Sequence, residues 1–156
     1  MRTGEGRYIP CLRWKQGEYQ ALLRLSAGAR AGIVPLIEVP EIGFDFETKT
    51  EAKSVDEHLQ PFAGRVREKW GREECFVDVR NVGATERLAT GQDVVTFVFD
   101  GLRARGVTAV PVVGPAEGNE TQDAVRDIVA NEVVKGTIGQ TNALQDRAEA
   151  AAKARS

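Results

Sequence analysis

Four short apolar stretches rich in β-branched residues, at residues 8–14, 33–39, 75–79 and 107–113, are separated by segments whose apolar positions recur with helical period. That alternation predicts βα units. After the first stretch, Tyr19, Leu22, Leu23 and Ser26 fall on one helical side, and Gly28 is the expected stop. The second reads Ile-Val-Pro-Leu-Ile-Glu-Val, apolar on both faces apart from Glu38, as strands sandwiched between layers are. Residues 40–53 are expected to form a long polar connection. Ser54-Val-Asp-Glu57 is a capping box, and the helix it starts should carry Val55, Leu59, Phe62, Val66 and Trp70 inward, with Pro61 placed to kink it.

In residues 92–105, Val94, Val95, Val98 and Leu102 form a buried stripe; their β-branched content also permits a strand, but the length and the Gly106 stop favour a helix. The fourth stretch ends in Gly114-Pro115, after which Asn119 or Thr121 can cap a helix through Asn131 with Ala124, Val125, Ile128 and Val129 inward. Beyond residue 131 the pattern weakens. Val133-Val134 is too short for a secure strand, and residues 140–156 form helix-favouring sequence, rich in alanine and charge, with only a thin apolar face.

The expected organisation is therefore one α/β domain over residues 1–139, with residues 140–156 as an alanine-rich helix or frayed tail. Strand starts near residues 8, 33, 75 and 107 give a unit of about 33 residues, against roughly 31 for one eighth of a typical barrel. Four units and the fragment of a fifth make half of, or a truncated, TIM-barrel-like parallel sheet; the alternative is a small open doubly wound sheet. Two unpaired sheet edges in a half barrel point to a homo-oligomer.

Composition narrows the function classes. With 156 residues, 42% hydrophobic and 28% charged, the chain suits one globular domain. Lysine and arginine number 21 against 23 acidic residues, so no global basic field exists to hold a phosphate backbone, and nucleic acid is not an expected partner. Cys11 and Cys75 lie outside any CxxC pattern and His58 is the single histidine, so no metal site is expected; both cysteines read as packing residues. The start of the sequence has no apolar leader core, and no apolar run approaches the roughly 20 residues that cross a bilayer, which suggests a reduced, cytoplasmic protein without a membrane partner. Gly114-Pro-Ala-Glu-Gly118-Asn lacks the lysine and hydroxyl residue of a Walker A loop and reads as a turn and cap. Arg65, Arg67, Lys69 and Arg72 suit the carboxyl end of a helix dipole, and His58 is expected on the side away from the strand ends. The sequence leaves the cofactor unknown.

In both candidate architectures ligands sit at the carboxyl ends of parallel strands. The polar residues expected there are Arg13 and Lys15 after the first strand, Glu38 in the second, and Asp78 and Arg80 in the third. Arg13 with Lys15, and Asp78 with Arg80, are each two apart and so would share a strand face. Such a group can clamp a small anionic ligand, or set up the catalytic candidates of a barrel-type hydrolase or lyase, with Lys15 as electrophile or base, Glu38 and Asp78 as acid and base or as ligands for a magnesium-like ion, and Arg13 and Arg80 holding the substrate anion; equally, the charges can pair with one another in a satisfied polar layer. A protein partner at the same strand ends is a further expectation.

The combination Tyr8-Ile-Pro-Cys-Leu-Arg-Trp-Lys-Gln-Gly-Glu18, Ala21-Leu22 and Pro35-Leu-Ile-Glu38, with Val-Asp-Val-Arg80 and Val-Pro-Val-Val-Gly114, resembles the beta protein family of T-even-type phages and bacteria over roughly residues 8–131. The resemblance implies an α/β, barrel-like core and a phage or mobile-element setting, with no established reaction and no catalytic residue to carry across; the reading drawn from it is a phage-related or defence-associated protein. It also implies members longer than this chain, so that the expected match is to the N-terminal part.

Overall fold

A computed structural model describes residues 6–45, 47, 50–51, 53–83, 86–112, 119–135 and 154. Its main sheet is built from β1 (Cys11–Arg13), β2 (Leu36–Glu38), β5 (Cys75–Asp78) and β6 (Ala109–Pro111), all parallel and in the order β1-β2-β5-β6. The ladders are shorter than the apolar stretches. Proline explains the first two: Pro10 and Pro35 stand immediately before β1 and β2, lack an N–H, and only accept, from Leu36 and Phe76, each at 2.9 Å. An isolated parallel bridge between Tyr8 and Ile33 continues the alignment upstream.

The connections carry α1 (Gln16–Leu23), α2 (Ala27–Ala31), α3 (Val55–Leu59), α4 (Phe62–Lys69), α5 (Val94–Ala104) and α6 (Asn119–Lys135). Leu22, Val55, Leu59, Phe62, Val66, Val94, Val98, Leu102 and Ile128 from these helices form one buried cluster with Ile37, Val39, Cys75 and Val77 of the sheet. Each large apolar side chain removed from water in this way is worth about 1.5–3 kcal/mol. Val34, Leu36, Phe76, Val110 and Val112, which alternate with those sheet residues, make a separate cluster with Ile9. Among the described residues the strand order does not reverse, and every described helix that buries a side chain joins the same cluster. A doubly wound sheet would add a reversal and helices on the second face; the segments that would supply them, including residues 140–153, lie outside the described residues.

Several local expectations are met. The capping box is complete, with Ser54 Oγ accepting from Glu57 N at 3.2 Å and Glu57 Oε2 accepting from Ser54 N at 3.0 Å. Val55, Leu59, Phe62, Val66 and Trp70 are all buried, and Pro61 separates α3 from α4. Asp93 starts α5 by accepting from Thr96 N at 2.8 Å and Thr96 Oγ1 at 2.7 Å, which holds the β-branched run in a helix. Gly106, with φ of 72°, turns the chain out of it.

Other expectations need correction. The connection after β2 contains a hairpin of β3 (Phe44–Asp45) and β4 (Thr50–Glu51), antiparallel and separate from the main sheet. Gly28 does not stop a helix: Ser26 Oγ accepts from Ala29 N and opens α2 around it, and Gly32 closes that helix. Leu22 is buried but Leu23 is 46% exposed. Helix α6 runs past Asn131 and takes in Val133 and Val134. The Gly114 to Gly118 loop, and the tail apart from residue 154, lie outside the described residues. No described helix is long and apolar enough to cross a membrane.

Because the capping box fixes where α3 begins, Ser54→Ala is expected to cost about 1 kcal/mol of stability; urea unfolding with an unchanged m value measures it.

Candidate functional site

The register sets the site. Arg13 pairs with Glu38, and Glu38 with Asp78, so the last residues of three adjacent strands stand in one row across the sheet. Residues in such a row point to the same face, about 4.8 Å from strand to strand. It is the face of Leu36 and Phe76, two residues upstream of Glu38 and Asp78. Exposure rises along the row toward the sheet edge. Asp78 on the interior strand is 1% exposed, the Glu38 side chain 13%, and the Arg13 side chain on the edge strand 57%.

Asp78 and Arg80 meet, though not as two positions of one strand. β5 ends at Asp78, and Arg80 opens a 3-10 turn over Arg80–Val82. Asp78 Oδ1 accepts from Arg80 N at 2.9 Å and from its Nε at 3.2 Å, while Oδ2 accepts from Nη2 at 3.0 Å. The carboxylate is thus gripped by the backbone and by the guanidinium fork. Arg13 Nε stands 4.0 Å from Glu38 Oε2, an ion pair beyond hydrogen-bond length. Lys15 is not a strand residue either: Lys15 N donates to Arg13 O at 2.6 Å in a tight turn, and Lys15 becomes the exposed N-cap position of α1, with no side chain capping that helix. Among the described residues Lys15 makes no ion pair.

The fold adds three groups to this corner that sequence reasoning passed over. Glu18, in the first turn of α1, has its Oε2 shut away from solvent without a hydrogen-bond partner among the described residues. Burial raises its carboxyl from the ordinary value; Lys15 and then Arg13 pull it back, and Glu38 adds to the rise. Glu41, just beyond β2, is shifted the other way, first by a hydrogen bond from its own backbone, with Arg13, Lys15 and His58 contributing. His58 corrects the expectation placed on it: it is half-buried, and its Nε2 lies 2.6 Å from the carbonyl oxygen of Pro40, directly after β2. It faces the strand ends. The only sequence signals for these three were proximity to a strand end for Glu18 and Glu41 and helix phase for His58.

The cysteines divide. Cys75 is wholly buried and its thiol is pushed up to about 12, so it packs and does not react. Cys11 is exposed on the edge strand and is not the packing residue expected. A groove of about 410 Å³ between α4 and α5, lined by Leu59, Phe62, Ala63, Phe97, Val98 and Gly101 among others, shares no residue with the strand-end row. No three His, Cys, Asp or Glu side chains among the described residues are grouped to hold a metal ion.

A family model described as Beta protein matches residues 8–154. The match takes in residues 132–154, which the resemblance noted in the sequence did not reach, and it covers nearly the whole chain. No curated protein matches the chain, and no solved structure does.

Arg80→Ala would strip the guanidinium from a carboxylate that is 1% exposed, an imbalance worth about 3 kcal/mol. Adding Asp78→Asn in that background is expected to restore part of the loss, and a double-mutant cycle by urea unfolding reads the coupling.

Proposed function

The chain belongs to the Beta protein family, and from that premise and the strand-end geometry we propose that it binds a small anionic ligand, a phosphate or carboxylate, at the corner where β1 turns into α1. The observation that carries this reading is the division of charge in the row. The buried acid, Asp78, is engaged by Arg80, whereas the cations at the open end, Lys15 and Arg13, are exposed and only loosely held. An anion placed there meets both side chains and the positive end of α1, which no side chain caps. Glu38 stands 4.0 Å from the Arg13 guanidinium, too far to hydrogen-bond it and so leaving its donors open to a ligand. A hydrolase or lyase using Lys15, Glu38 and Asp78 is the weaker reading, because an Asp78 carboxylate gripped through both oxygens is a poor base.

The sheet supports a second, compatible reading. β1 and β6 each have one neighbour in the main sheet, and the unreversed order with the described helices on one face is the connectivity of a barrel wall. We read it as a TIM-barrel-like half whose edges pair with a second copy. The proposed setting is a cytoplasmic, phage-related or defence-associated one.

Isothermal titration with phosphate and with acetate tests the first reading. Lys15→Ala and Arg13→Ala are each expected to weaken binding about tenfold, the loss of one charge-assisted contact, while the thermal midpoint stays within about two degrees of the parent. Unchanged affinity in both variants overturns it. For the second reading, light scattering should give about twice the chain mass of 17.0 kDa; a monomer at every concentration leaves the half barrel without its partner.

A further inference from the structure

We propose, resting on the anion-binding reading, that occupation of the β1–α1 corner is coupled to uptake of one proton by Glu18, so that the corner takes anions more tightly as the solution becomes more acidic. The geometry behind this is the enclosed Glu18 Oε2, which has no hydrogen-bond partner among the described residues although it sits in the first turn of a helix. A carboxylate at that position has the helix dipole in its favour. It also feels the positive charges of Lys15 and Arg13, which is what keeps an enclosed, unpartnered oxygen tolerable in ionised form. Glu38 works against it.

An anion bound to Lys15 and Arg13 removes this support. It neutralises the two cations that hold Glu18 ionised and brings a further negative charge beside it, so the carboxylate takes a proton from solvent and becomes the acid. The reaction is one anion and one proton entering together, with no other bond made or broken. Ligand and proton assist each other by the same factor, since coupling between two binding events is reciprocal. The other charged groups around α1 do not duplicate Glu18. Arg65 of α4 lies over the Tyr19 ring at 5.2 Å and is permanently charged. Glu41, whose carboxyl is lowered first by a hydrogen bond from its own backbone, and His58, bonded to the Pro40 carbonyl, are the other groups near these two cations, and each is checked by its own variant.

The test uses the full chain and inorganic sulfate, a dianion whose own protonation does not change over the mildly acidic and neutral range. Calorimetric titrations at one pH in two buffers of different ionisation heat count the protons taken up. Affinity should fall with rising pH by up to tenfold per unit, the slope of a single proton. Glu18→Gln should bind sulfate with a flat pH profile and no uptake, Glu18→Asp should retain uptake, and Glu41→Gln and His58→Gln should leave it as in the parent. Sulfate binding without buffer dependence, or uptake that persists in Glu18→Gln or disappears in Glu41→Gln or His58→Gln, overturns the coupling and leaves the anion site standing. Absence of sulfate binding at every pH overturns both.

Discussion

A carboxylate on an interior strand of a sheet has to be matched where it stands, and Asp78 is the constraint around which this strand edge is arranged. At 1% exposure it cannot rely on water, and removal from solvent without a partner would cost several kcal/mol. The chain supplies that partner by ending β5 at Asp78 and turning at once, so that Arg80 returns both its amide and its guanidinium to the same carboxylate. The turn has a second effect. It stops the strand at the level where β1 and β2 also stop, which leaves the three terminal residues in one row rather than staggered.

Along that row solvent decides how each charge is used. The same ion-pair chemistry gives a forked, hydrogen-bonded contact at Asp78 and a 4.0 Å contact between Arg13 and Glu38, because toward the edge strand water screens the attraction and the entropy of fixing a long side chain is no longer recovered. A layer of satisfied charge and an open, cation-bearing corner are therefore two ends of one gradient. The position of β1 at the edge of the sheet sets which end faces outward.

Much of the fold was legible because it is encoded locally. The capping box at Ser54, the break at Pro61, the stripe of Val94, Val98 and Leu102 and the glycine after it each act through neighbours a few residues away, and each appears as expected. So did the gathering of Arg13, Glu38 and Asp78, which needs only that parallel strands end together. What sequence could not supply was relative placement. Whether Gly28 ends a helix or sits inside one depends on Ser26 capping a new turn, and the Phe44–Asp45 strand lies in a segment whose alternation of Phe44, Phe46, Thr48 and Thr50 with charged residues is a strand signal that the expectation of a polar connection passed over. His58 was misplaced for a related reason: its helix phase was readable, but the direction in which α3 hangs from β2 is set by long-range packing.

Glu18 is the clearest case of a property with no local signature. A glutamate in the first turn of a helix is ordinary, and by itself the dipole would hold it ionised. Its departure arises although Lys15, Gln16 and Gly17 beside it are exposed: α1 follows β1 after a turn of two residues, and in that corner one oxygen of the Glu18 carboxyl loses its water. The same short turn brings Lys15 and Arg13 close enough for their charges to act on it. Burial outweighs both cations, and the direction of the shift follows from that contest. Each of the three residues is unexceptional alone; it is the length of the β1–α1 turn that gives the corner exposed cations beside an acid poorly disposed to keep its charge.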